Sequence, residues 1–260
     1  MRDAGLNLAI NAAGGVAHLA NKIGIAQPSV SNWNRVPAER VLAVETATGV
    51  AREMLRPDLY GDLPVSEPAV DPIDAARAGE YLLLAALLAS APSRGLLARI
   101  ARLKKDDSTP LGRAHAALAE AAASATVTEV EREYFALFIG LGRGELLPYA
   151  SYYLTGFLNE RPLSRLRNDL GMLGIERVET NAEPEDHAAT LCEIMAGLAS
   201  GRFAASQDAQ RAFFEKHLVR WMGRFYADLE KAEGAKFYRS VGTLGRVFLE
   251  IETEAFAFAS

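Results

Sequence analysis

Glu133-Tyr134-Phe135-Ala136-Leu137-Phe138, a glycine-rich loop Gly140-Leu141-Gly142-Arg143-Gly144-Glu145, then Pro148-Tyr149-Ala150-Ser151-Tyr152-Tyr153: this stretch decides how the chain is read. Tyr134, Leu137, Phe138 and Leu141 recur at helical spacing, and such a stripe is more simply a core face than a ligand box. Three tyrosines lie within five residues at Tyr149, Tyr152 and Tyr153. They cannot all point inward from one helix face, and tyrosine suits a binding surface that is half apolar and half wet. Downstream stands Glu183-Pro184-Glu185-Asp186-His187. Pro184 fits a first helical position, which makes the segment an acidic helix start with His187 in its first turn. Its carboxylates either simply favour the helix dipole or also pair with incoming arginines through directional bidentate bonds. His187, beside the positive helix end, stays neutral and can hydrogen-bond a peptide backbone.

Around these segments nearly everything is helical. Apolar periodicity predicts helices over Ile73–Ser90, Leu96–Lys104, Leu111–Ala123, Val127–Ile139 and Leu163–Leu173. Phe214, Leu218, Trp221 and Phe225 form one amphipathic stripe, and Phe237, Val241, Leu244, Phe248 and Ile251 another. Strand signals are confined to Ile175–Thr180. The expected fold class is all-α. Pro57, Pro64, Pro68 and Pro72 cluster between Arg56 and Pro72, where each removes a backbone donor and forces its predecessor toward extended geometry. The expected organisation is a small domain over 1–60, a proline-rich linker over 61–72 and a large helical domain over 73–260.

Half of the residues are hydrophobic and 23% are charged, the composition of a globular protein with a real core. The single cysteine, Cys192, excludes an internal disulfide and fits a reducing cytoplasm. No apolar run approaches the ~20 residues of a membrane helix, and the start at Leu6–Ala20 is broken by Asn7, Asn11 and His18, so neither a span nor a signal peptide is expected. Enzyme readings lack parts. Gly140-x-Gly142-x-Gly144 has no following lysine and no preceding strand. His18, His115, His187 and His217 are scattered, without the spacing of a metal site. Cys192 lies on an apolar face as a core thiol. The expectation is a non-enzyme without cofactor or metal.

At the front, Gly14-Gly15-Val16-Ala17-His18-Leu19-Ala20-Asn21-Lys22-Ile23-Gly24-Ile25-Ala26-Gln27-Pro28-Ser29-Val30-Ser31-Asn32-Trp33 fits a helix-turn-helix. Val16, Ala20 and Ile23 supply an inner face, Gly24 the positive φ of the sharp turn, and Ile25 and Val30 the plug between helices. Gln27, Ser29, Ser31 and Asn32 then face outward toward base edges, with Lys22, Arg35 and Arg40 available to phosphates. Acidic and basic residues balance within 1–64, so the net charge of -5 lies in the remainder. A neutral front is poor for phosphate neutralisation, and useful DNA affinity calls for a homodimer.

The stretch from about Leu6 to Tyr60 resembles the Cro-like, YdaS-like family of bacterial DNA-binding domains. Trp33-Asn34-Arg35, Val36-Pro37-Ala38-Glu39-Arg40 and Arg56-Pro57-Asp58-Leu59-Tyr60 carry that likeness. From about Asp74 to Phe258 the chain resembles the TorD/DmsD/NarJ-type chaperones of molybdoenzymes. The two motifs above carry it, together with Phe214-Glu215-Lys216-His217-Leu218-Val219-Arg220-Trp221 and Lys236-Phe237-Tyr238-Arg239. The resemblance implies a cytoplasmic helical chaperone whose groove binds the twin-arginine leader, and often the body, of a molybdopterin-dependent oxidoreductase precursor until its cofactor is inserted. It places the peptide site at Pro148, Tyr149, Tyr152, Tyr153, Glu183, Glu185, Asp186 and His187, with the last two foremost. Read as exposed polar residues, Asp186 and His187 are expected to be replaceable at no more than ~0.5 kcal/mol of stability. The alternative is a transcription regulator whose chaperone-like domain senses a precursor protein, with double-stranded DNA as the second partner.

Overall fold

Proline at a helix start gives up an amide hydrogen that the first turn would leave unused anyway. Pro57 and Pro72, expected to keep helix out of this region, therefore open the short helix Pro57–Tyr60 and the long helix Pro72–Ala89, the latter with Asp71 capping Ile73 N–H at 2.7 Å. The computed structural model describes residues 2–60, 71–104, 106–176 and 183–258. The chain forms two compact units, Met1–Ala69 and Val70–Ser260. Most of the proline-rich linker, including Pro64 and Pro68, lies outside the described residues, as do residues 177–180 of the expected strand signal. Described Ile175 and Glu176 take no regular structure.

The smaller unit holds α1 (Ala4–Ala13), α2 (Val16–Lys22), α3 (Gln27–Ser31), α4 (Val41–Thr48), α5 (Arg52–Leu55) and α6 (Pro57–Tyr60). Gly24 takes φ 70° in the turn between α2 and α3, a conformation that side chains resist. Leu6, Leu19, Val30, Val36, Val41, Val44 and Leu55 are fully buried. Leu19, rather than Val16 or Ile23, is the centre of the inner face of α2; those two pack from the side, as does Ile25. The guanidinium of Arg56 closes the unit. Nearly buried, it donates to Val36 O at 2.7 Å and grips both carboxylate oxygens of Asp58 at 2.8 Å. That grip holds the Asp58 carboxyl down at about 2.

The larger unit runs α7 (Pro72–Ala89), α8 (Arg94–Ile100), α9 (Pro110–Ser124), α10 (Val127–Tyr134), a π-helical turn Phe135–Ile139, α11 (Ala150–Thr155), α12 (Arg161–Met172), α13 (Ala188–Ala199), α14 (Gln207–His217), α15 (Met222–Lys231) and α16 (Phe237–Phe258). The described residues contain no strand, as expected of an all-α chain. Apolar on nearly every face, α13 is buried along its length and packs on α7, while α16 packs on α15 and α9. Gly245 makes the approach of α15 close: a Cβ there would stand 2.2 Å from the Tyr226 ring.

Two expected stripes are corrected. Phe214, Leu218, Trp221 and Phe225 are all buried, but residues 218–221 turn between α14 and α15, so one stripe spans two helices. Ile251 is left exposed, and Glu252 turns inward with 1% exposure. Arg77 on α7 meets that carboxylate through two bonds of 2.7 and 2.8 Å, and Tyr81 Oη donates to it at 2.9 Å. An apolar pattern cannot announce a charge whose counterion comes from a distant helix.

Removing one partner of a buried ion pair strands the other. Glu252→Gln should therefore cost the larger unit about 3 kcal/mol, and Tyr81→Phe, which removes one hydrogen bond, about 1 kcal/mol. Urea unfolding followed by the fluorescence of buried Trp221 measures both; an effect of Glu252→Gln no larger than that of Tyr81→Phe would show the pair to be dispensable.

Candidate functional site

The two motifs meet backbone to backbone. Tyr149 and His187 form an isolated antiparallel bridge. Ala188 N–H donates to Pro148 O at 2.8 Å and Ala150 N–H to Asp186 O at 3.0 Å. Asp186 Oδ2 accepts from Ser151 N–H at 2.8 Å, satisfying an amide at the start of α11 that the helix itself cannot. These bonds hold the chain before α13 in a turn, closed by His187 N–H on Pro184 O at 3.1 Å, that ends in a single bridge residue. Pro184 is consequently not a first helical residue, and His187 is not inside the first turn. It is the N-cap of α13, its Nδ1 accepting from Ala189 N–H at 3.1 Å.

Tyr149 and His187 line one cavity, while Ala150 and Asp186 line another. The expected pairing of Asp186 with His187 in one peptide site is thereby divided. On the His187 side lies a cavity of about 140 Å³ walled by Tyr134, Phe138, Pro148 and Tyr149, with Glu183 and Glu193 among its lining. Tyr149 Oη donates to Glu183 Oε2 at 2.5 Å, and its ring meets the His187 imidazole edge-on at 5.0 Å. Burial, then the Glu183 contact, raises the Tyr149 pKa, so it remains a donor. Because Nδ1 of His187 accepts a hydrogen bond, the proton of the neutral ring sits on Nε2, which has no protein partner among the described residues. Burial lowers the His187 pKa against the pull of Glu183 and Asp186.

The remaining expected site residues are dispersed. Glu185 is buried and already paired with Arg167 at 2.8 and 3.0 Å. Asp186 is 1% exposed, a structural cap rather than a surface carboxylate, though its Oδ1 and the nearby Ser151 Oγ, both occluded, have no partner among the described residues. Tyr153 turns into the core against Trp221 and Phe225, donating to Asp228 at 3.0 Å, while Tyr152 accepts from Arg143 at 2.6 Å in a separate groove. Of the Tyr134 stripe, Leu137 is core, Tyr134 and Phe138 are cavity wall, and Leu141 is 99% exposed. Periodicity missed Glu133, whose carboxylate accepts from the amides of Lys236, Phe237 and Tyr238 and so starts α16. It also missed a cluster of cations on the Asp186 side: Arg161, Arg165, Lys216 and Arg220 line a cleft of about 530 Å³. The i, i+4 spacing of Arg161 and Arg165 was a signal that could have been used.

In the smaller unit, Gln27, Ser29, Ser31 and Asn32 are all exposed on and just after α3, as are Lys22, Arg35 and Arg40. Arg35 is shared with Asp58 at 3.2 Å, and Arg2 reaches Ser31 O at 3.3 Å, a further cation beside this face. Cys192 is buried beside Tyr226, its thiol pushed up by burial to about 12.

Because Asp186 caps α11 from within, Asp186→Ala should cost about 1–2 kcal/mol in urea unfolding, whereas Glu183→Gln at the exposed edge should be nearly neutral. The sign of the pH effect follows from His187. Its folded pKa lies below the ordinary 6.5, so the unfolded chain takes the proton first. Stability resting on the neutral ring is whole above pH 6.5 and lost as pH falls through the lowered folded value. His187→Asn keeps a capping acceptor without titrating and should flatten the fall in melting temperature below pH 6.5. An unchanged slope would assign the acid sensitivity elsewhere, with His217, likewise lowered by burial, the next group to replace.

Two family models match separate stretches of the chain. Residues 104–227 match the family model described as nitrate reductase delta subunit, and residues 6–64 match that of bacterial toxin YdaS. Chaperone protein TorD of Vibrio cholerae serotype O1 is 29% identical over 131 residues, 47% of this chain and 60% of the relative. Chaperone protein TorD of Aliivibrio fischeri is 28% identical over 139 residues, 50% of this chain and 65% of the relative. The chain thus spans less than two thirds of the length of either. A crystal structure described as a redox enzyme maturation protein of Archaeoglobus fulgidus superposes with a TM-score of 0.46 at 23% identity, covering 66% of this chain and 93% of that one. One chain thus carries, over 104–227, a likeness to the nitrate reductase delta subunit model and to chaperones named TorD, and, over 6–64, a likeness to the YdaS model.

Proposed function

We propose that the larger unit is a cytoplasmic maturation chaperone that binds the twin-arginine leader, or the body, of a molybdopterin-dependent oxidoreductase precursor until its cofactor is inserted. The observation that carries this reading is the cavity at the bridge. Its aromatic wall offers apolar contact with polar edges, Glu183 sets a carboxylate at the rim, and His187 presents an uncommitted Nε2–H donor. Arginine followed by apolar leader residues would meet a carboxylate and an aromatic wall in turn, and a peptide carbonyl would accept from the imidazole. The likeness to chaperones named TorD supports the same reading. Glu183 and Tyr149 thereby take the place that sequence gave to Asp186.

The smaller unit serves as a DNA-binding regulatory module in this proposal, its reading face formed by Gln27, Ser29, Ser31 and Asn32. The match to a YdaS family model and the exposure of that face also favour the second reading, a transcription regulator in which the TorD-like unit senses precursor.

Titration calorimetry with a twin-arginine leader peptide should show binding that a lysine-for-arginine leader loses. Glu183→Gln combined with Tyr149→Phe should weaken it by ~tenfold or more, since a charge-assisted bond is replaced by a neutral one. Absence of binding to leader and mature enzyme alike would end the chaperone reading. For the front unit, selection from random duplexes at low salt should enrich a sequence. Gln27→Ala should then shift preference by ~1–3 kcal/mol at one base pair, and Arg35→Ala should lower the salt slope by about one unit without changing preference.

A further inference from the structure

On the far face of the bridge from His187, the cleft of about 530 Å³ has the opposite electrical character from the small cavity. Arg161 and Arg165 stand one turn apart on α12, and Arg220 follows the end of α14. None of the three makes an ion pair or hydrogen bond with another described residue, so their guanidinium forks are open to a ligand. Lys216 adds a fourth cation, shared with Asp169, whose carboxylate also takes His217 at 2.7 Å. Like charges gathered in one cleft repel one another until an anion enters.

Asp186 also belongs to the lining of this cleft, but it is 1% exposed and its Oδ2 is engaged by Ser151 N–H, so the cations set the electrical character of the open surface. The walls between the charges are apolar, with Leu154, Leu166 and Leu191. The chain that follows Leu154 leaves Phe157 70% and Leu158 43% exposed.

From these features we infer that the cleft binds an acidic, partly apolar peptide segment, with carboxylate side chains on Arg161, Arg165 and Arg220. A peptide brings the anion and the apolar surface together, whereas a small inorganic anion satisfies the guanidiniums and leaves Leu154 in water. Arginine binds carboxylate through two parallel bonds, so the charge and the direction of the segment are both recognised. This site goes beyond the leader reading and does not depend on it, because the cations that form it would repel an arginine-rich leader.

The test uses the full chain and a short labelled peptide alternating glutamate with leucine, followed by fluorescence anisotropy. A peptide alternating lysine with leucine is the control, and tripolyphosphate is the competitor. The acidic peptide should bind, with affinity falling as salt rises, and the basic one should not. Arg165→Gln with Arg220→Gln, both at exposed positions, should weaken the acidic peptide by ~tenfold or more, since each removes a bidentate partner. Glu183→Gln with Tyr149→Phe should leave it unchanged, which keeps this outcome separate from that of the leader titration. Absence of binding at low salt, binding indifferent to the arginine variants, or tripolyphosphate binding tighter than the peptide would each overturn the inference. The last would make the cleft a small-anion site.

Discussion

The backbone bridge between Tyr149 and His187 is the contact on which the rest of the larger unit's chemistry depends. It joins segments far apart in sequence, ties the start of α11 to the start of α13, and spends one oxygen of Asp186 on an amide that α11 cannot satisfy itself. Amides of a helix's first turn are costly to bury unpaired. Once Asp186 has met that demand, the residues before α13 form a turn and one bridge residue rather than a helical start, and Asp186 and His187 line different cavities. The acidic and aromatic cavity and the cationic cleft are two sides of the same short ribbon.

Carboxylates brought in from elsewhere start helices at several points of the unit. Glu133 on α10 gathers the first amides of α16, and Glu145 accepts from Glu233 N–H at 2.7 Å and Gly234 N–H at 3.2 Å just before it. These bonds cross between elements, so they orient helices as well as ending them. Arg77, Tyr81 and Glu252 do the same within the core, where a charge is tolerated because both of its oxygens are engaged. The segment that joins the π-helical turn to α11 is thereby fixed from both ends, at Glu145 and at Pro148.

The all-helical class was legible because period and burial agree along α7, α9, α12 and α16. The helix-turn-helix was legible because Gly24 and Val30 must do what they do. What escaped was whatever a remote partner decides. Glu252 takes the inward place expected of Ile251 because Arg77 and Tyr81 are there to receive it. Asp186 looked like an exposed carboxylate at a helix start, and only the amide of Ser151, on another element, makes it a cap. Tyr149, Glu183 and His187, read as one group, do converge on one cavity. The separation of Asp186 from His187 was not legible, because a helix start was assumed where a turn and a bridge form.

In the smaller unit, Arg56 is held by Val36 O on one side and by Asp58 on the other. Its charge is nearly out of water and its counterion comes two residues later in the chain. The helix-turn-helix proper is finished well before that point, yet a fragment cut after Leu55 would lose the clamp, and one cut at Pro57 would leave a buried guanidinium with a carbonyl and no anion. The shortest piece of this chain that can stand as a folded unit therefore extends through Asp58 at least, with α6 serving as a closing latch rather than as the first part of a tether.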